Sequence, residues 1–498
     1  MVNLIWNLVF HRKRTLLSMP YIGYKIKKTL NKHSRELENS DQTKYYNINY
    51  IPEKGLAEYT VDNLINEMTP QKVHNLNKIS GVIYHGGKKH IEKLNKIANM
   101  FAVSNPLHPN LFPQIKEMET DIINMTRSLY KGSFDCCGNV TYGGTESLLL
   151  ACVTYRDYYR YNKGIKYPNI IAFESVHPAI DKGCHYFGIK LKKAPVDDSG
   201  TGSVSNIYNL IDENTILIVG SAPSYSHGII DPIKEMANLA LQYDIGFHMD
   251  ACMGGFLIPF IPEFEHLNFT LPGITSISMD THKYGYSLKG TSVLLFNDAK
   301  IKKFQHYINK DWSGGVYATP TMMGSKSGSL IAAAWASMLY IGRDEYTNIA
   351  SSIRNNLIEI RKGVSYNQWI DIIGDPNLNI LAFKSSKLNI YYVINEMKKS
   401  GWDLSVMQNP PAFHLCITRL HDNETCIKFC NDLYTSCAKV FKKYYQNQNN
   451  RPNEKDLSGT LALYGSSQGV KDSMFIDEII HDYIFLLSNK SISWRYDV

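Results

Sequence analysis

The stretch Ser276-Ile277-Ser278-Met279-Asp280-Thr281-His282-Lys283-Tyr284-Gly285-Tyr286-Ser287-Leu288-Lys289-Gly290 decides how the rest of the chain is read. Thr275 to Met279 predicts a short β-strand on one side of it, and Thr291 to Phe296 predicts another on the far side. A lysine on the connection between two apolar strands can be held rigidly and desolvated. A Schiff-base lysine needs both, because only the unprotonated amine attacks an aldehyde and desolvation lowers its pKa. A solvated loop charge is the alternative, and the neighbouring segments choose between the two.

The segment before it is Ile245-Gly246-Phe247-His248-Met249-Asp250, an apolar strand that ends in an aspartate and runs into the small residues Ala251-Cys252-Met253-Gly254-Gly255. Ligands of open α/β sheets bind at the carboxyl ends of the strands, so Asp250 is expected in the crevice that would hold Lys283. A lone aspartate there would more simply cap the next helix. Paired with a lysine at the end of the next strand, it fits pyridoxal phosphate, whose ring nitrogen needs a carboxylate partner to stay protonated. Gly143-Gly144-Thr145-Glu146-Ser147 opens a predicted helix running to about Tyr161, and its first turn makes an anion site suited to the cofactor phosphate. Thr215 to Gly220 is a further strand, whose following Ser221 is placed to hydrogen-bond the cofactor. Strands alternating with helices at this spacing predict a mostly parallel sheet.

These motifs occur in the order found in fold-type I pyridoxal-phosphate enzymes of the group II decarboxylase clan. The ordered set is Val140 to Ser147, Gly220 to Pro223, His248 to Gly255, Asp280 to Tyr286, Gly314 to Thr321, Gly401 to Leu404 and Pro410 to Thr418. Within that clan the chain most resembles the sphingosine-1-phosphate lyases, over roughly residues 50 to 485. The resemblance implies a transferase-like α/β fold, with a mostly parallel central sheet and a smaller C-terminal α/β domain. Its division of the chain would be a basic arm over 1–55, a segment over 56–110 serving dimer and active site, a large pyridoxal-phosphate domain over 111–349, and a small domain over 350–498.

The same resemblance assigns roles. Lys283, His177 and Asp250 form the catalytic set, His177 matching the residue that stacks on the pyridine ring. Gly144, Thr145, Ser221 and His282 join them as cofactor contacts. Gly324 and Ser325 lie on a loop that in the family reaches the neighbouring subunit's site, which implies a homodimer with shared active sites. Tyr84, Asn105, His108, Lys289 and Tyr317 are assigned to the substrate phosphate. The implied reaction is retro-aldol cleavage of a phosphorylated sphingoid base to a long-chain aldehyde and phosphoethanolamine. The proton acceptor for the 3-hydroxyl is left open among Lys283, the cofactor phosphate and Tyr225. The rival readings are an amino-acid decarboxylase of the same clan and a non-catalytic scaffold docked on membranes.

Composition bounds the rest. A chain of 498 residues, 44% hydrophobic and 20% charged, describes a globular protein of about two domains. Its net charge of +7 is concentrated at the start, where residues 1–40 hold eight Lys or Arg against two Glu. The body is therefore nearly neutral, which gives nucleic-acid binding no support. Val2 to Phe10 is about half the length of a bilayer span and runs into a basic cluster. It reads either as an anchor at a membrane surface or as a packed N-terminal arm. Nine cysteines without a repeating frame point to a reducing compartment, hence a cytoplasmic protein, with contact to the cytosolic face of a membrane if the anchor reading holds. Cys426, Cys430 and Cys437 near His421 fit an amphipathic helix better than a metal site, so no metal is expected. Trp312 to Ser329, rich in Gly, Ser and Thr, reads as a loop.

Overall fold

The computed structural model describes residues 51–69 and 75–446, with 481 and 484 beyond them. The basic arm over 1–40 and the polar insertion after Gln446 lie outside the described residues. The chain forms two compact units. One comprises Leu76–Ile390 and Met397–Lys439; the other includes, among the described residues, Tyr391–Glu396 and helix α1, Glu58–Met68.

The larger unit is built on a seven-stranded sheet in the order β1-β7-β6-β5-β4-β2-β3. Its strands are β1 (Cys137–Thr141), β2 (Asn169–Phe173), β3 (Lys190–Ala194), β4 (Thr215–Ser221), β5 (Gly246–Asp250), β6 (Ser276–Met279) and β7 (Ser292–Phe296). β7 runs antiparallel to both of its neighbours and the other pairs are parallel, which is the expected mostly parallel sheet. β2, β4, β5, β6 and β7 are buried along their whole length. Runs such as Asn169-Ile-Ile-Ala-Phe173 lack hydrophobic/polar alternation for that reason, since helices cover both faces of a parallel sheet.

The helices follow the sequence pattern. α2 (Lys88–Met100) and α3 (Pro113–Leu129) precede the sheet, and α3 starts on a proline, whose missing N–H costs nothing there. α4 (Gly144–Lys163) buries Leu148, Ala151, Cys152, Tyr155 and Tyr159, a stripe at helical spacing, against Ile170, Leu217 and Leu294 of the sheet. Each fully buried Leu or Ile there contributes about 1.5–3 kcal/mol of transfer free energy. α5 (Ala179–Phe187) links β2 to β3, α6 (Ile233–Gln242) links β4 to β5, and α7 spans Gly328–Ser365 with a break at Gly342.

One expectation fails. The stretch from Trp312 to Ser329 is not wholly loop: β8 (Tyr307–Trp312) and β9 (Gly315–Thr319) pair as an antiparallel hairpin, and α7 already begins at Gly328. β9 is exposed except at Thr319, so it carries no core pattern by which a strand could be recognised. A second, four-stranded sheet follows in the order β10-β11-β13-β12, with β10 (Asp371–Ile372), β11 (Ile380–Lys384), β12 (Ser405–Gln408) and β13 (Pro411–Cys416) all antiparallel.

Candidate active site

The carboxyl ends of β4, β5 and β6 and the first turn of α4 converge on one cavity of about 210 Å³. Lys283, His282, Asp250, Ser221, Gly144, Thr145 and His177 all line it. These seven candidates come from five separate stretches of sequence, and the sheet brings them together.

Lys283 follows β6 on a compact turn. Its carbonyl accepts from the Tyr286 N–H at 3.0 Å, and Ser287 N–H donates to the Thr281 carbonyl at 3.1 Å. Gly285 is required inside this turn, because a Cβ there would run into the Thr281 carbonyl oxygen. The amine is 3.0 Å from Asp280 Oδ2, an ion pair whose carboxylate is 2% exposed and whose lysine side chain is 20% exposed. Burial alone would depress the amine's pKa, but the Asp280 carboxylate outweighs it and holds the ammonium above the ordinary lysine range. The sequence expectation of a depressed amine is thus reversed, and Asp280 is the reason. Burial likewise would raise the Asp280 carboxyl, and the Lys283 and His282 charges hold it below the usual range instead. His282 Nδ1 donates to the Thr291 carbonyl at 2.6 Å, which leaves Nε2 free on the side of Asp280, 3.8 Å away.

Asp250 ends β5 and is 7% exposed. Its Oδ1 accepts from the Cys252 N–H at 3.0 Å and the Ser278 hydroxyl at 3.4 Å. Ser221, at the end of β4, pairs in register with Asp250, and its N–H donates to Asp231 Oδ2 at 2.7 Å. Burial, with the Asp250 charge adding to it, pushes the Asp231 carboxyl up to about 7. His177 follows β2; its Nδ1 accepts from the Ala179 N–H at 3.1 Å, and its ring lies 6.4 Å from that of Tyr225.

The first turn of α4 is tightly walled. A Cβ on Gly144 would lie 2.7 Å from Cys252 Sγ and 2.8 Å from Asp280 Oδ1. Glu146 reaches back to the Tyr142 N–H and also accepts from the Met322 N–H at 3.0 Å, tying the helix start to the segment before α7. The unpaired N–H groups of a helix's first turn favour an anion. An amine, a facing carboxylate, an imidazole and a helix N-terminus around one small cavity are the donor set that pyridoxal phosphate requires, so the residues present fit that group.

Other candidates lie elsewhere. Tyr84 is buried: its hydroxyl is 3.8 Å from Cys416 Sγ and 3.9 Å from Sδ of Met253, a cavity-lining residue, and its ring packs edge-on to Tyr284 at 5.1 Å. Lys289 places its Nζ 4.8 Å over the Tyr84 ring, where burial lowers its pKa. Asn105 Nδ2 donates to Ser325 Oγ at 3.1 Å, while His108 is exposed. Tyr317 sits on the exposed hairpin against Trp312, and a Cβ on Gly324 would lie 2.9 Å from its hydroxyl. Asp280, Cys252, Met253 and Tyr142 also line the cavity and were given no role on sequence grounds. For Asp280 a signal existed, since three residues of a tight turn bring its carboxylate beside Lys283. Cys426, Cys430 and Cys437 lie together on helix Asn423–Tyr444.

Residues 94–386 match the family described as the pyridoxal-dependent decarboxylase conserved domain. The chain is 38% identical to sphingosine-1-phosphate lyase 1 of Rattus norvegicus over 476 residues, covering 94% of this chain and 82% of that protein. It is 38% identical to the sphingosine-1-phosphate lyase of Dictyostelium discoideum over 482 residues, covering 95% and 88%. Among solved structures it is similar to the sphingosine-1-phosphate lyase of Burkholderia pseudomallei, with a TM-score of 0.78 and 33% identity over 81% of this chain and 95% of that one. A glutamate decarboxylase of Lactobacillus brevis, at TM-score 0.70 and 18% identity over 82% and 98%, shares the fold.

Proposed function

The chain belongs to the pyridoxal-dependent decarboxylase family and, within it, to the sphingosine-1-phosphate lyases, and from that membership we propose that it cleaves a phosphorylated long-chain base to a long-chain aldehyde and phosphoethanolamine. The observation that carries this reading is the cavity itself, where Lys283 and Asp250 line the same walls at the ends of neighbouring strands. The decarboxylases describe the wider family, and no feature of the site favours an amino-acid substrate.

Lys283, Asp250 and the first turn of α4 would hold the aldehyde, ring-nitrogen and phosphate ends of pyridoxal phosphate. When bound, that group supplies a carbonyl that takes up an amine and a protonated ring that draws in the electron pair of the broken C2–C3 bond. Asp280 keeps a proton on the Lys283 amine until the site is loaded. A proton must then leave the substrate's 3-hydroxyl; the Lys283 amine and the Tyr225 hydroxyl, both on the cavity wall, are the groups of this chain assigned to take it. Met253 and Leu148 supply apolar wall to the cavity, which would limit the water that enters it.

The substrate phosphate is assigned to Lys289, whose Nζ lies 4.8 Å over the Tyr84 ring, with Tyr84, Asn105, His108 and Tyr317 contributing. A homodimer is supported by the hairpin, which exposes Tyr307, Ile308, Trp312 and Val316. Gly324 and Ser325 would then serve the partner's cofactor. The nine free thiols support a reducing, cytoplasmic setting, with residues 1–40 as the contact to a membrane surface. Incubation with sphingosine 1-phosphate should release long-chain aldehyde, and incubation with glutamate or aromatic amino acids should release no carbon dioxide. The opposite pattern would replace the lyase by a decarboxylase.

A further inference from the structure

Asp250 ends a buried line of hydrogen bonds that the mechanism above leaves unused. Its Oδ1 accepts from the Ser278 hydroxyl at 3.4 Å, and Ser278 Oγ lies 3.1 Å from His248 Nε2. His248 Nδ1 lies 2.8 Å from Ser276 Oγ, which accepts from the Tyr155 hydroxyl at 2.8 Å. Tyr155, Ser276, His248 and Ser278 are all 0% exposed. Strand geometry puts them in line. His248 and Asp250 are two apart on β5, Ser276 and Ser278 two apart on β6, and the register pairs His248 with Ser276 and Asp250 with Ser278. All four side chains therefore fall on one face of the sheet.

Counting protons fixes the direction of this line. A carboxylate only accepts, so the Ser278 O–H points at Asp250, and its oxygen takes the His248 Nε2–H. Burial pushes His248 down to about 4, which leaves the ring neutral with a single proton. Nδ1 must then accept from Ser276, while the Tyr155 hydroxyl shares its one proton between Ser276 Oγ at 2.8 Å and Thr275 Oγ1 at 2.5 Å. From Ser276 through His248 to Ser278, every member donates toward Asp250. The Cys252 thiol, 3.3 Å from Ser278 Oγ, adds a further donor at the same point.

We propose that His248 is a positioning residue: clamped between Ser276 and Ser278, it fixes the Ser278 hydroxyl on Asp250 and so aims that carboxylate at the ring nitrogen of pyridoxal phosphate. The proposal rests on the cofactor reading above. It makes the line Tyr155–Ser276–His248–Ser278, and not Asp250 alone, responsible for the site's preference for a cofactor with a basic ring nitrogen.

The test compares two cofactors on the full chain. Apoprotein is titrated with pyridoxal 5'-phosphate and with its 1-deaza analogue, in which carbon replaces the ring nitrogen, and the ratio of the two dissociation constants is read from absorbance or fluorescence. Wild type should prefer pyridoxal phosphate. S278A and H248F should shrink that preference on the order of tenfold, the scale of one hydrogen bond to a charged group, and Y155F should shrink it less. If H248F does not fold, the milder S278A decides. A merely structural role would weaken both cofactors alike, so an unchanged ratio in S278A overturns the proposal. A wild type that binds neither cofactor overturns the cofactor reading and the proposal with it, whereas one that binds both equally overturns the proposal alone.

Discussion

Lys283 Nζ lies 3.0 Å from Asp280 Oδ2, three residues earlier on the same turn. Both groups are withdrawn from bulk water, so the pair's attraction is poorly screened, and it reverses the effect that burial alone would have on the amine. The turn therefore stores the lysine as an ammonium, and delivery of the amine is coupled to loss of this contact.

Replacing Asp280 exposes that coupling. In D280N the nearest anion is removed while burial remains, so the Lys283 pKa should fall by about one to three pH units. Competitive acetylation of the apoprotein across pH, read by mass spectrometry at Lys283, measures it. An unchanged profile would show that Asp280 does not govern the amine.

Gly144 is predicted to tolerate no side chain. G144A puts a methyl group 2.7 Å from Cys252 Sγ and 2.8 Å from Asp280 Oδ1, against the wall that also carries Lys283. Overpacking of this kind costs about 1–3 kcal/mol, and cofactor affinity should fall tenfold or more. Cofactor titration and urea denaturation check the two parts separately, and wild-type values in both would refute the close approach.

Lys326 and Glu119 form a buried ion pair at 2.9 Å that joins α3 to the segment before α7. Lys326 also donates to the Val140 carbonyl at 3.1 Å, and Glu119 accepts the Val140 N–H at 3.2 Å, so the pair is sewn to β1. Removing one partner leaves a buried charge, and K326M should destabilise the protein by about 3–5 kcal/mol. The double replacement with E119M should recover part of that loss in a denaturation cycle. A loss below about 1 kcal/mol in K326M would show that Lys116, 3.2 Å from the other Glu119 oxygen, suffices alone.

Acid should weaken the fold through His421. Burial pushes it down to about 4, while the unfolded side chain titrates near 6.5. The unfolded chain binds the proton first, so the contribution is complete above pH 6.5 and is lost as pH falls from 6.5 toward 4. At pH 5.5 the loss is about 1.4 kcal/mol. H421N keeps an acceptor for the Thr418 N–H that His421 Nδ1 now accepts at 3.0 Å. Between pH 7.5 and 5.5, wild type should therefore lose about that much more stability than the variant. Parallel losses in the two would contradict it.

Much of the site was legible in the chain. Lys283, Asp250, Ser221, Gly144 and Thr145 sit at the ends of apolar runs or the start of a helical one, and such positions face the crevice of a parallel sheet whatever the details of packing. The strands holding them were found within a residue or two for the same reason. The hairpin over β8 and β9 was missed because its strands are mostly exposed and alternate nothing.

The sequence by itself determined which residues stand at strand ends and turns, because backbone period and turn chemistry act over a few neighbouring residues. Only the tertiary structure decided what surrounds them: the ammonium state of Lys283, the burial of Tyr84 against Met253 and Cys416, the Lys326–Glu119 pair spanning 207 residues, and the line from Tyr155 to Asp250. Desolvation and Coulomb attraction depend on distance through space and on excluded water, and neither exists until the elements close on one another.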